Sequence, residues 1–256
     1  MGAGGTITMS SSSLRRAIAR LMLATGVLLL PATAYAAGGA FAVDDVEVGK
    51  PGECKVESWA SAATNHDFTA VTSPACVVKL GIPVELGAQL QRSRGDGVWG
   101  TSGTLKAKTN LIPVENHPFG LGISGGSTWD LITGAHTGGF INVPVAFQIQ
   151  EKLRINVNGG WLYDNAAKIH YLTWGAGFEW NFVKPLTLIG EVYGQAGRLP
   201  AVGEDEAPAP NSIREPRTQI GLRVTPQDNV DLDLIWGRNI TGENAQWLTL
   251  GVNLRF

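Results

Sequence analysis

The sequence has few of the residues that most often carry chemistry. It contains two cysteines, four histidines and only 16% charged residues in a chain of 256. His66, His117, His136 and His170 are scattered and lack the spacing of a metal site. We therefore predict no metal, no cofactor and no catalytic residue, and we expect that the protein is not an enzyme.

An excess of charge of one sign is also missing. The formal net charge is −2 at neutral pH, with 20 basic and 22 acidic side chains. A nucleic-acid partner favours a basic stripe or patch, which this balance does not provide. We expect no nucleic acid among the partners.

Long hydrophobic runs are absent from most of the chain. After Leu30 no segment is apolar over the roughly 20 residues that a membrane helix needs, and the run 21–30 is too short as well. Arginines at 15, 16 and 20 precede that run, and Ala34-Tyr35-Ala36 follows it. This order is typical of a secretory signal peptide, so we predict that residues 1–36 are removed after Ala36.

Cys54 and Cys76 both fall in the exported part of the chain. An even pair in an oxidising compartment is most simply one disulfide, and two free thiols are the alternative. We predict the disulfide, at the rim of the first hairpin.

The clearest pattern lies at the carboxyl end. Over residues 247–256, leucine, valine and phenylalanine alternate with polar or small residues, and the chain ends on the apolar Phe256. A period of two indicates a β-strand with one apolar face. A last strand ending in phenylalanine resembles the signal that the outer-membrane assembly machinery recognises, so we predict Phe256 as that signal.

The same alternation recurs upstream, giving about twelve strands of the length that a tilted membrane strand needs. We predict an all-β fold over 53–256, a transmembrane antiparallel up-and-down β-barrel. The alternation alone also fits a soluble β-sandwich. In a sandwich the polar face would meet bulk water, whereas in a barrel it would enclose a wet lumen while the apolar face met lipid. The charged residues on this polar face are the predicted lumen lining: Glu85, Lys106, Lys108, Arg154, Glu179, Glu191, Arg223, Asp231, Asp233 and Arg255.

Loop lengths decide between the two folds. Tight turns at 150–152, 183–185 and 226–229 alternate with longer connections, notably 199–216. Short periplasmic turns opposite longer external loops are typical of outer-membrane barrels. We therefore predict the bacterial outer membrane as the location, with a periplasmic carboxyl end and lipids and the assembly machinery as partners.

The predicted lumen has two interpretations. Its mixed charges could create a transverse field that orients polar solutes in a narrow channel, or they could pair with one another and fill the barrel. A barrel of eight strands is filled by its own side chains, and a large porin encloses a wide channel. A barrel of twelve strands encloses a space of intermediate width, which favours a small channel. Residues 37–52 form either a periplasmic segment or a plug.

Glycines at 120, 122 and 125 match a dinucleotide fingerprint by letter, but they lie in an alternating strand and lack the strand–helix context. We expect instead that a neighbouring strand or a plug approaches closely there.

One family resemblance lies near the start of the exported chain. Ala42-Val43-Asp44-Asp45, then Gly49-Lys50-Pro51-Gly52, then Cys54-Lys55-Val56-Glu57 are similar to the beginning of outer-membrane proteins of the phenol-degradation meta-pathway type. The cysteine pair and the Lys-Pro turn depart from that pattern. The resemblance implies a channel for small solutes, among them aromatic or hydrophobic compounds.

The sequence thus predicts a channel for the passive passage of small solutes. A non-conducting structural or interaction barrel is the first alternative. A lipid-modifying enzyme is the second, and it needs a serine and a histidine together at the outer rim on the lipid side. His170 falls on the lipid-facing phase, but no serine takes an obvious partner position beside it.

Overall fold

The structure is a computed structural model that describes residues 40–114, 117–199 and 213–256. The predicted signal peptide lies outside these residues. The described part contains twelve strands: β1 (Cys54–Ala63), β2 (Phe68–Leu80), β3 (Ile82–Gly95), β4 (Val98–Ile112), β5 (Gly120–Asp130), β6 (His136–Gln150), β7 (Leu153–Asp164), β8 (Ile169–Val183), β9 (Leu186–Leu199), β10 (Ile213–Gln227), β11 (Val230–Asn239) and β12 (Gln246–Arg255). Within the described ranges, no helix has the length and apolar character needed to cross a membrane.

Each strand pairs antiparallel with its neighbour in sequence, and β1 pairs with β12 to close the barrel. The closing register places Val56 opposite Leu254 and Ala60 opposite Leu250. A slip of one residue would turn the apolar face of a strand inward, so the alternation specifies this register. The predicted twelve-stranded up-and-down barrel is confirmed.

The barrel is apolar outside and polar inside. On the outward face, Leu105 and Leu250 are each 61% exposed. On the inward face, Thr249 and Asp233 are 2% and 3% exposed. A sandwich would bury the apolar face between two sheets, whereas here it forms the outer surface of a closed sheet. This distribution is the one that a lipid-embedded barrel requires.

The two ends of the barrel differ in their connections. The end with Phe256 and the start of β1, here called the terminal end, has short connections at 81, 151–152, 184–185 and 228–229. The other end, here called the opposite end, has connections at 64–67, 131–135, 165–168 and 240–245. Two connections break the predicted rule. The turn at 96–97 is short at the opposite end, where Gly97 has a φ of +80°, and 113–119 is long at the terminal end.

The second strand extends beyond its cysteine. β2 continues to Leu80, so Cys76 lies four residues before the end of this strand and not at the rim of the hairpin, where the disulfide was predicted. The two cysteines are nevertheless direct partners in the β1–β2 register, and they form the predicted disulfide.

Candidate functional site: the lumen and its N-terminal segment

The ten charged residues predicted to line the lumen all lie on the inward phase of their strands. Five of them are buried, with exposed fractions of 2–7%: Glu85, Lys108, Glu191, Asp231 and Asp233. The others share the inward phase of their strands, as Lys106 does between the buried Thr104 and Lys108. The structure brings them together in one interior rather than on separate surfaces.

Several of these charges form ion pairs with other strands of the wall. Arg223 Nε lies 2.7 Å from Asp233 Oδ1, and Arg255 forms an ion pair with Asp231. Glu85 pairs with Lys55, whose Nζ lies 3.1 Å from Glu85 Oε1, and sequence reasoning had not assigned Lys55 to the lumen. Pairing of charges, which the second interpretation predicted, is therefore present for these residues.

Residues 40–48, here called the lumen segment, lie against the inner wall. Glu191 binds the backbone of this segment, because its carboxylate accepts hydrogen bonds from Ala42 N at 2.9 Å and Val43 N at 3.3 Å. Gln219 Nε2 donates to the same carboxylate at 2.9 Å. A buried carboxylate is costly unless it is hydrogen-bonded, and the lumen segment supplies two of the donors.

Lys108 binds the side chains of the lumen segment. Its Nζ lies 2.8 Å from Asp44 Oδ1 and 2.7 Å from Asp45 Oδ1. Burial raises the pKa of the Asp44 carboxyl to about 6, while the Lys108 ammonium acts in the opposite direction. One lysine of β4 thus contacts both members of an acidic pair that the sequence had indicated only through a family resemblance.

Two further contacts continue along the lumen segment. Arg154 Nη1 lies 2.6 Å from Glu47 Oε1. The side-chain amide of Asn158 bonds the backbone of Asp44 at two points. Its oxygen accepts a hydrogen bond from Asp44 N at 2.6 Å, and its nitrogen donates one to Asp44 O at 2.9 Å. The segment is therefore bound by strands on several sides of the lumen, including β4, β7 and β9.

Apolar side chains of the lumen segment are also buried. Phe41 packs with Ile189 and Ile235 of the wall, and the Arg223 guanidinium lies 5.3 Å from the centre of its ring. Val46, fully buried, packs with Val114 and Ala146. Hydrophobic burial therefore adds to the ion pairs, and it binds the lumen segment to the wall near its start at Phe41 and near its end at Val46.

Inward glycines make room for the lumen segment. A Cβ at Gly120 would lie 2.7 Å from Val46 Cγ2, and one at Gly175 would lie 2.9 Å from Val43 Cγ2. A Cβ at Gly221 would lie 3.0 Å from the Phe41 ring. The expected close approach at the glycines of β5 is therefore present: the lumen segment approaches Gly120, and the neighbouring strand β6 approaches Gly122 and Gly125.

A cavity of about 390 Å³ remains beside the lumen segment. Its lining combines wall residues such as Lys55, Glu57 and Arg255 with Asp45 and Glu47 of the segment. The interior therefore contains both a paired charge network and free space.

Among the described residues, no serine pairs with His170, the histidine that the enzyme alternative required. His170 stacks on Trp161 and Tyr163, with ring centres 5.4 and 4.8 Å apart. A different pair exists on the outward face, where Ser127 Oγ lies 2.9 Å from His136 Nε2. Sequence reasoning missed it because a bulge between β5 and β6 sets the register there.

Three solved structures with a similar fold are outer-membrane channels. The KdgM porin superposes with a TM-score of 0.58 at 9% identity, covering 79% of this chain and 99% of that chain. The COG4313 outer membrane channel from Pseudomonas putida F1 gives 0.58 at 14% identity, covering 83% and 98%. The NanC porin gives 0.55 at 6% identity, covering 78% and 98%. The fold is thus that of porin-like outer-membrane β-barrels, which supports the predicted location in the bacterial outer membrane.

A family model matches residues 26–256, and its description is "Uncharacterised conserved protein UCP029691". The chain belongs to this family. No curated protein matches it. This description does not confirm the resemblance to outer-membrane proteins of the phenol-degradation meta-pathway type, which stays a prediction.

Proposed function

We propose that this protein is a channel for the passive passage of small solutes across the outer membrane, and that the lumen segment acts as its plug. The observation that carries the proposal is the bound lumen segment inside a closed barrel that still contains a cavity of about 390 Å³. A barrel filled as a core would leave no such space. In this arrangement the terminal end is periplasmic and the plug narrows the path.

For the solutes, we propose small compounds that include aromatic ones. An inward apolar cluster of Phe140 and Leu162 packs against Tyr171, and it offers a surface on which a flat ring could slide. The family resemblance at residues 42–57 also implies a channel for solutes that include aromatic compounds. Liposome swelling with benzoate and with a sugar of similar size tests the preference, and equal swelling would contradict it.

The channel itself is tested by single-channel conductance in planar bilayers. We expect a small conductance for the natural chain and a larger one for Gly175→Val, because the new side chain displaces Val43 and loosens the plug. Gly159→Val is the matched control, since a Cβ at Gly159 has no atom within 4 Å. No current in any of the three would favour the non-conducting barrel instead.

A further inference from the structure

Two arginines interrupt the apolar outward face of β3. Leu86 and Leu90 on this face are 46% and 47% exposed, and the inward Gln91 is 7% exposed. Arg92 and Arg94 continue the outward phase toward the opposite end of the barrel. Arginine on a lipid face costs about 2–4 kcal/mol at the bilayer midplane and almost nothing at the interface. The two guanidiniums therefore mark the level of the lipid headgroups.

Neighbouring strands surround these arginines with aromatic and hydroxyl side chains. In the β2–β3–β4 register, Arg94 lies between Phe68 and Trp99, and Arg92 is the direct partner of Thr101. The set of Phe68, Arg92, Arg94, Trp99 and Thr101 is here called the arginine patch. All five residues share the outward face near the same turn.

Neutral contacts hold the arginine patch in place. Arg92 Nη1 donates to Thr101 Oγ1 at 2.6 Å, and Arg94 Nε donates to His66 O at 3.0 Å. Both guanidiniums lie near the Trp99 ring, 4.9 and 5.7 Å from its centre. These contacts orient the two cations without neutralising them, and they leave most of the five N–H donors of each guanidinium free.

Among the residues that the structure describes, Arg92 and Arg94 have no acidic partner. Within the described ranges, no carboxylate lies at ion-pair distance from Arg92 or Arg94. Asp67 in the adjacent turn is engaged elsewhere, because it accepts from Asn65 Nδ2 at 2.9 Å and from Asp96 N at 3.3 Å. This differs from the lumen, where several charges are paired, and an anion from outside the chain would complete the arginine patch.

We infer that the arginine patch binds a phosphate group of a lipid headgroup in the outer leaflet. Two guanidiniums side by side match the oxygens of a phosphate in bidentate geometry. Phe68 and Trp99 would contact the adjoining acyl chain and carbohydrate, as aromatic side chains do at membrane interfaces. The inference rests on the membrane orientation in the proposed function and does not depend on conductance.

The test measures lipid binding to the full exported chain in detergent micelles by native mass spectrometry. Lipid A with two phosphates is compared with its dephosphorylated form, on the natural chain and on Arg92→Gln/Arg94→Gln. We expect at least tenfold weaker binding for the double variant, and similar weakening when the natural chain meets the dephosphorylated lipid. Arg238→Gln is the matched control, because Arg238 lies on the outward face of β11 and donates only to Asn239 O in the described contacts.

Three outcomes would overturn the inference. Equal binding of both lipid forms by the natural chain would show that phosphate is not recognised, and this comparison holds even if the double variant does not fold. Equal loss in Arg238→Gln would show a general effect of surface charge. Competition by millimolar inorganic phosphate would indicate a site for soluble anions. A chain that binds the phosphorylated lipid selectively but carries no current would refute the proposed channel and leave this inference standing.

Discussion

At the scale of single residues, the lumen segment depends on a few buried charges. Lys108 contacts both Asp44 and Asp45, and Glu191 receives two backbone N–H groups. Period-two alternation was enough to predict that Lys108 and Glu191 point inward. It could not indicate their partners, because Asp44 and Lys108 are 64 positions apart and meet only in the closed barrel.

Replacing Lys108 by Gln should loosen the plug in a pH-dependent way. Removing one partner of a buried pair costs about 3–5 kcal/mol, because the other charge stays buried and uncompensated. Burial already raises the pKa of Asp44 to about 6, and without Lys108 it rises further. In the variant, the lumen segment therefore binds the wall most strongly when Asp44 is protonated. This binding is fully present below the ordinary pKa of 3.8 and is lost as the pH rises through the raised pKa of the bound Asp44.

Conductance of Lys108→Gln should accordingly exceed that of the natural chain at pH 8 and approach it at pH 5. The control is Lys106→Gln, which removes a neighbouring inward lysine and keeps the contacts of Lys108 with Asp44. Equal conductance of Lys108→Gln and the natural chain at both pH values would contradict a role for this ion pair.

At the scale of elements, the hairpin of β1 and β2 carries the one disulfide. Cys54 and Cys76 are direct partners in its register and are separated by 22 positions. The pairing could be predicted from the sequence because only two cysteines exist and both are exported. The ends of the strands were less predictable, since β2 continues past Cys76 where its alternation is weak.

Replacing both cysteines by serine should lower the free energy of unfolding by ~3 kcal/mol, because the open hairpin gains chain entropy in the unfolded state. Urea unfolding of the detergent-solubilised chain measures this change. The double variant Ser58→Ala/Thr72→Ala, which removes a 3.0 Å hydroxyl contact in the same hairpin, should cost less than about 1 kcal/mol. A similar loss in both double variants would show that the cross-link adds nothing beyond side-chain contact.

At the scale of the whole molecule, the apolar outer surface requires a lipid environment. Leu80, Leu105 and Leu250 are 61–67% exposed, and together with the other outward side chains they form a continuous belt. Removing detergent from the folded chain should therefore cause aggregation, because this surface would be transferred to water. Size-exclusion chromatography below and above the critical micelle concentration measures the effect. A compact monomer without detergent would contradict membrane insertion, and with it the proposed channel.

The alternation of side chains determined by itself that this chain forms about twelve strands with one apolar and one polar face. That result is local, since each residue's face depends only on its place in a strand. Only the tertiary structure decided what the interior contains. The pairing of charges around the wall, the position of residues 40–48 and the size of the remaining cavity arise from contacts between distant positions, and such contacts exist only once β1 has paired with β12.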